Sequence, residues 1–227
     1  MWLYTILMFS SLSVPLLLSF DKKLKFYKQW KYIIPSILII AAFYILADIY
    51  LTKFGVWGFD SRYHLNIMIA NLPLEEWLFF LFIPYACVFL HECMVLYFPG
   101  LKLNQKWTRS IILVLILMDA IIILLYFDRT YTVYIFSLVI IALLLAFIDS
   151  TNQISSFFVS FLLILIPFII VNAILTGSFI HHQVVLYNDQ ENMGIRILTI
   201  PVEYVGYAFS MVLFNLLLIS KLKKIFK

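Results

Sequence analysis

Two pairs of neighbouring residues in this chain have types that could move a proton in an apolar setting. Glu75 and Glu76 stand together in "NLPLEEWLFF", and Glu203 and Tyr204 stand together in "TIPVEYVGYAF". A carboxyl group taken out of water and set among aromatic rings tends to stay protonated and can act as an acid, while an ionised neighbour can act as a base. A structural use competes with this. Pro73 and Pro201 read as first-turn prolines, Asn71 and Thr199 add capping potential, and an acid in a first helical turn offsets the macrodipole. That use accounts for one acid per helix, and Glu76 exceeds it. Successive helical residues project about 100° apart, so Glu75 and Glu76 serve different faces. The expected constellation is Glu75, Glu76 and Glu203 as proton-transfer groups, with Tyr204 beside them and Trp57, Trp77 and Phe79 ringing them.

Other polar residues carry less. Asp48 and Asn172 fall at equivalent places near the ends of two apolar runs and read as interhelical ties that could also support the site. Asp60 in "VWGFD" is matched loosely by Asp189 in "VLYND" and reads as a loop cap. Asp119 lies within an apolar run, where interhelical bonding is its only reading. His91-Glu92 lacks the second histidine of a zinc-protease helix, and His181-His182 reads as interfacial. Cys87 and Cys93 are six residues apart, on different helical faces, so neither a disulfide nor a metal pair is expected. No metal site and no cofactor is expected. There is no Gly-x-Gly-x-x-Gly and no P-loop. An aspartate-rich magnesium cluster for prenyl transfer is absent, and the last run has no lysine before Lys221 for a retinal Schiff base.

The elements that must position these residues are membrane helices. Of the 227 residues 64% are hydrophobic and 12% charged, more apolar surface than a soluble domain of this size can bury. Nothing in the net charge of +4 favours nucleic acid. Apolar runs long enough to cross a core of about 30 Å occur at roughly 2–20, 32–52, 73–96, 110–127, 131–148, 154–176 and 199–220, the third interrupted by Pro84 and His91-Glu92. Backbone groups in lipid need internal partners, so each run should be a helix. The first run lacks a basic start and reads as a retained span. Twelve Lys and Arg fall in 21–31, 102–109 and the tail, and four in the alternate segments. The positive-inside rule then places the N-terminus outside and the C-terminus in the cytoplasm, with loops 53–72 and 177–198 outward.

The chain also repeats. "YTILMFSSLSVPLLLSF" at 4–20 is echoed by "YTVYIFSLVIIALLLAF" at 131–147, "DIYLT" at 48–52 by "NAILT" at 172–176, and "NIMIANLPLEEW" at 66–77 by "GIRILTIPVEYV" at 194–205. The unit is three helices. An extra helix between the copies makes them parallel rather than inverted. The fold class expected is therefore all-α integral membrane, with seven transmembrane helices as two parallel three-helix repeats plus a linking helix. The units are 1–96 and 131–227, with a linker at 97–130 that holds the extra helix at 110–127. Glu75 and Glu203 would then sit at matching depth, able to face one cavity between the halves.

The paired "PLEE" and "PVEY", each opening the last helix of a three-helix unit, resemble the flavin-independent lycopene cyclase family in its fused single-chain form. That resemblance implies acid–base cyclisation of linear carotenoid ends, to β-rings first, in carotenoid biosynthesis. The substrate would be a carotenoid such as lycopene, taken from the bilayer among membrane lipids. Glu75 and Glu203 are implied as the acid–base pair, with Glu76 next. Two other classes compete: a small proton-coupled transporter, and a non-catalytic carotenoid- or lipid-binding protein in which the glutamates are only caps. Both a monomer and a homo-oligomer are compatible with the sequence.

Overall fold

A computed structural model describes residues 2–226. Among them run seven α-helices: α1 Leu3–Leu18, α2 Trp30–Lys53, α3 Leu74–Tyr97, α4 Gln105–Leu125, α5 Thr130–Ile148, α6 Ile154–Leu175 and α7 Glu203–Ile225. Six are long and apolar enough to cross a membrane. The exception, α1, has 16 residues, about 24 Å of helix against a core of about 30 Å. Pro84 does not break α3, which continues past it to Tyr97.

Short strands fill the two long loops: β1 Trp57–Phe59, β2 Met68–Ile69 and β3 Leu72–Pro73 before α3, and β4 Val185–Tyr187, β5 Arg196–Ile197 and β6 Ile200–Pro201 before α7. Strands β2 and β3 pair through a two-residue turn, Ala70 (φ 50°) and Asn71 (φ 68°), the left-handed turn that matches strand twist. Strands β5 and β6 also pair through a two-residue turn, in which only Leu198 (φ 57°) is left-handed. Both hairpins correct the expected helix starts. Pro73 is a strand residue and the N-cap of α3, Pro201 ends β6, and neither lies in a first turn. Asn71 and Thr199 are turn residues and cap nothing. The last helix therefore begins at 203, because the apolar stretch before it is spent on a hairpin.

The two halves meet through β1 and β4, antiparallel, with Trp57 opposite Tyr187, Gly58 opposite Leu186 and Phe59 opposite Val185. This ribbon puts the loops before α3 and α7 on one side of the molecule, as parallel repeats require. Helices α3 and α7 form the centre. Helix α1 packs along α3 and α5 along α7, while α2 crosses to α7 and α6 crosses to α3. Hydrogen bonds tie the crossed pairs: Tyr44 Oη to Ser210 Oγ at 2.8 Å, Ser36 Oγ to the Asn215 carbonyl at 3.1 Å, and His91 Nδ1 to Ser160 Oγ at 2.7 Å. Helix α4 lies outside this core along α5.

Candidate active site

Glu75 and Glu203 have matching surroundings. The Thr5 hydroxyl donates to Glu75 Oε1 at 2.7 Å and the Leu65 amide at 2.9 Å. The Thr132 hydroxyl donates to Glu203 Oε1 at 2.7 Å and the Met193 amide at 2.7 Å. Each carboxyl is wholly buried, and each fastens the first helix of its half and the preceding loop to the central helix. The Tyr4 amide donates to the Tyr63 carbonyl and the Tyr131 amide to the Glu191 carbonyl, which satisfies first-turn donors of α1 and α5. Oε2 of both glutamates is buried without a partner.

Glu76 has a different setting. The Tyr4 hydroxyl donates to its Oε2. Asp48, near the end of α2, neighbours the same carboxyl. Asp48 Oδ1 accepts from Trp57 Nε1 at 2.6 Å and from Thr52 Oγ1 at 3.3 Å, while its Oδ2 has no donor. Glu76 opens onto a cavity of about 10 Å³, room for roughly one water, lined also by Trp57, Phe59, Tyr131, Val185, Tyr187, Tyr204 and Tyr207. The β1–β4 ribbon roofs this cavity, and α3, α5 and α7 wall it.

The rings form one connected cluster. Trp57 meets Tyr131 edge-on at 5.3 Å, Tyr131 stacks on Tyr187 at 5.7 Å, Tyr187 meets Tyr204 at 6.0 Å, and Tyr204 stacks on Tyr207 at 5.4 Å. Tyr207 reaches Tyr44 at 5.2 Å, and Phe168 lies 5.5 Å from Tyr204. A negative site walled by ring faces is suited to a transient cation.

Of the expected site residues, Glu76, Trp57 and Tyr204 meet at this cavity, with Asp48 behind Trp57. Glu75 and Glu203 do not line it, nor do Trp77 and Phe79. Trp77 bonds the Ile69 carbonyl through Nε1 at 3.2 Å, and Phe79 is buried edge-on to Phe80. Asn172 donates to the Phe168 carbonyl of its own helix at 2.8 Å. Asp60 is held in the loop by Arg62, whose guanidinium bonds lower its carboxyl to about 2. Asp119 is buried with Oδ2 unpartnered. Tyr4, Thr5, Tyr131, Thr132, Tyr187 and Tyr207 were not singled out from sequence. The repeated Tyr-Thr at 4–5 and 131–132 was the available signal for four of them. Among the described residues no group of three or more His, Cys, Asp or Glu could hold a metal ion.

Comparison with known proteins adds one match. The family model described as lycopene cyclase fits residues 1–94 and 128–222, leaving out α4 and its flanks. No curated protein and no solved structure is significantly similar to the chain.

Proposed function

The chain belongs to the lycopene cyclase family, and on that premise we propose that it closes the end groups of a linear carotene by acid–base chemistry without net redox change. The observation that carries the reading is Glu76, the one carboxyl lining the aromatic cavity, backed by Asp48 and Tyr4. The proton held between Glu76 and Asp48 passes to the terminal double bond of the substrate and leaves a tertiary cation. The neighbouring alkene attacks that carbon through its chain-bearing end, the six-membered ring closes, and the charge moves to the adjacent, methyl-bearing ring carbon. A proton then returns to the carboxyl pair, so protons balance over the cycle.

Loss of that proton from the ring position bearing the polyene gives the fully substituted, conjugated alkene, the β-ring. The faces of Trp57, Tyr187, Tyr204 and Tyr207 and the net negative carboxyl pair stabilise the cation, the rings by about 2 kcal/mol when desolvated. The cavity is too small for an end group as it stands, so the tyrosine walls part on entry. Glu75 and Glu203 act in this reading as matched positioning residues for the loops that carry Trp57 and Tyr187. The units 1–96 and 131–227 are the two halves of the machine, joined through 97–130. The distribution of Lys and Arg supports the site lying toward the outside and the tail inside, checked by the side on which a C-terminal reporter is accessible.

The test is pigment analysis in a lycopene-accumulating host. Wild-type protein should yield β-ring carotenes. Glu76→Gln should reduce cyclisation about 100-fold or more at normal membrane levels, and Asp48→Asn should reduce it similarly. Full activity in Glu76→Gln, beside loss in a stably inserted Glu75→Gln or Glu203→Gln, would move the chemistry to the symmetric pair.

A further inference from the structure

We propose that the polyene chain of the substrate lies in a lipid-facing groove between α1, α3 and α6, and that Phe168 and Tyr204 form the step past which one end group at a time reaches Glu76. This rests on the cyclase reading and adds to it where the unreacting length of the molecule is held.

The groove has a volume of about 550 Å³ and is walled almost wholly by apolar side chains, with Ser10, Ser11, Cys87 and Cys93 the polar exceptions. Helices α1 and α6 both pack on α3, which forms its floor. Along α1 it runs from Leu7 to Leu18, about 16 Å of helix. An elongated slot of this kind suits a hydrocarbon chain, not a compact head group. Its upper end comes within one ring contact of the acid cavity, with no lining residue shared between them. Leu7 is one turn from Tyr4, which donates to Glu76, and Phe168 lines the groove while its ring lies 5.5 Å from that of Tyr204, a wall of the cavity.

The other half of the molecule supplies a comparison. Glu75 and Glu203 are 128 residues apart, and the same interval takes Ala86 to Phe214 and Cys93 to Lys221. The equivalent cleft between α5, α7 and α2 is lined by Phe214, Leu145 and Ile40 together with Asp149, Lys221 and Lys224. A phenylalanine thus stands where the first groove has an alanine, and charged groups stand at the far end. Only the first of the two clefts is apolar along its length, and its Phe168 packs against Tyr204, a wall of the site.

The experiment uses full-length protein purified in mild detergent from lycopene-accumulating cells, with bound pigment measured by absorbance per mole of protein. The Glu76→Gln background holds substrate without turning it over. In that background Ala86→Phe, which copies the other half, should retain less than a tenth of the pigment. Ser10→Phe, at the exposed rim, should do the same without adding buried volume, and it decides alone if Ala86→Phe does not accumulate. Leu145→Phe in the second cleft should retain the pigment of the parent. Pigment retained by the filled-groove variants, together with undiminished cyclisation when Glu76 is restored, overturns the groove and leaves the cyclase reading standing; a bilayer acyl chain is then its occupant. Wild-type protein that neither cyclises nor carries pigment overturns both.

Discussion

Glu75 and Glu76 are adjacent in the chain, yet Glu75 accepts a threonine hydroxyl and a loop amide while Glu76 accepts a tyrosine hydroxyl and meets a second carboxyl. The first arrangement recurs at Glu203 and the second does not, since Tyr204 stands in that place. Leaving a buried hydrogen-bonding group unsatisfied costs about 1–3 kcal/mol. Thr5→Val and Thr132→Val should therefore each lower unfolding stability by roughly that amount, read as a shift in the thermal midpoint in detergent. Restoring the hydroxyl with serine should recover most of the loss. The acids at 75, 76 and 203 were legible because carboxylates in an apolar run are conspicuous. Their division into ties and a proton site was not. The partners of Glu75 and Glu203 in α1 and α5 are 70 and 71 residues away, and no local spacing encodes such a contact. Asp48 was read as a tie for the same reason, because nothing near it in sequence names Glu76.

Among the elements, the long helices followed from apolar runs, and most of their ends fell within two or three residues of expectation. The hairpins did not. Strands of two residues are too short to show alternation, and "LTIPV" is as apolar as a helix start, so Ile200 and Pro201 were assigned to the wrong element. Proline carries the same ambiguity: a fixed φ near −65° suits the first helical turn and an extended edge equally. Packing between α5 and α7 turns on a detail that only coordinates reveal. A Cβ at Gly206 would sit 2.9 Å from Ile135 Cγ2 and 3.2 Å from Val139 Cγ2. Such closeness is the usual role of small residues between membrane helices. Gly206→Ala should destabilise by about 1–3 kcal/mol through overpacking, offset in part by roughly 1 kcal/mol of helix propensity. A Gly206→Ala variant with a raised midpoint would mean that α5 and α7 have slack. The loss should ease when Val139 is also shortened to alanine.

At the scale of the molecule, the duplication is near enough to equal halves that the site could be expected between them, and its asymmetry is what the sequence conveyed least. The carboxyl lining the cavity comes from α3, the neighbouring carboxyl from α2, and Tyr131, Tyr187, Tyr204 and Tyr207 from the second half. The ribbon of β1 and β4 closes over them through backbone pairing, which depends little on side-chain identity. Two chains separated between α3 and α4 should therefore reassemble. Co-expressed segments 1–100 and 101–227 should restore cyclisation, and either alone should give none. Activity from a single half would show that the cross-half tyrosines are dispensable. The ribbon also carries a consequence for biosynthesis. The carboxyls of α2 and α3 are present once α3 has been made, whereas the walls from α5 and α7 and half of the roof follow more than thirty residues later. Until Tyr187 pairs opposite Trp57, the carboxyls proposed as the proton source have no chamber to work in. Products terminated before that pairing should therefore be silent toward any carotene in the membrane they enter.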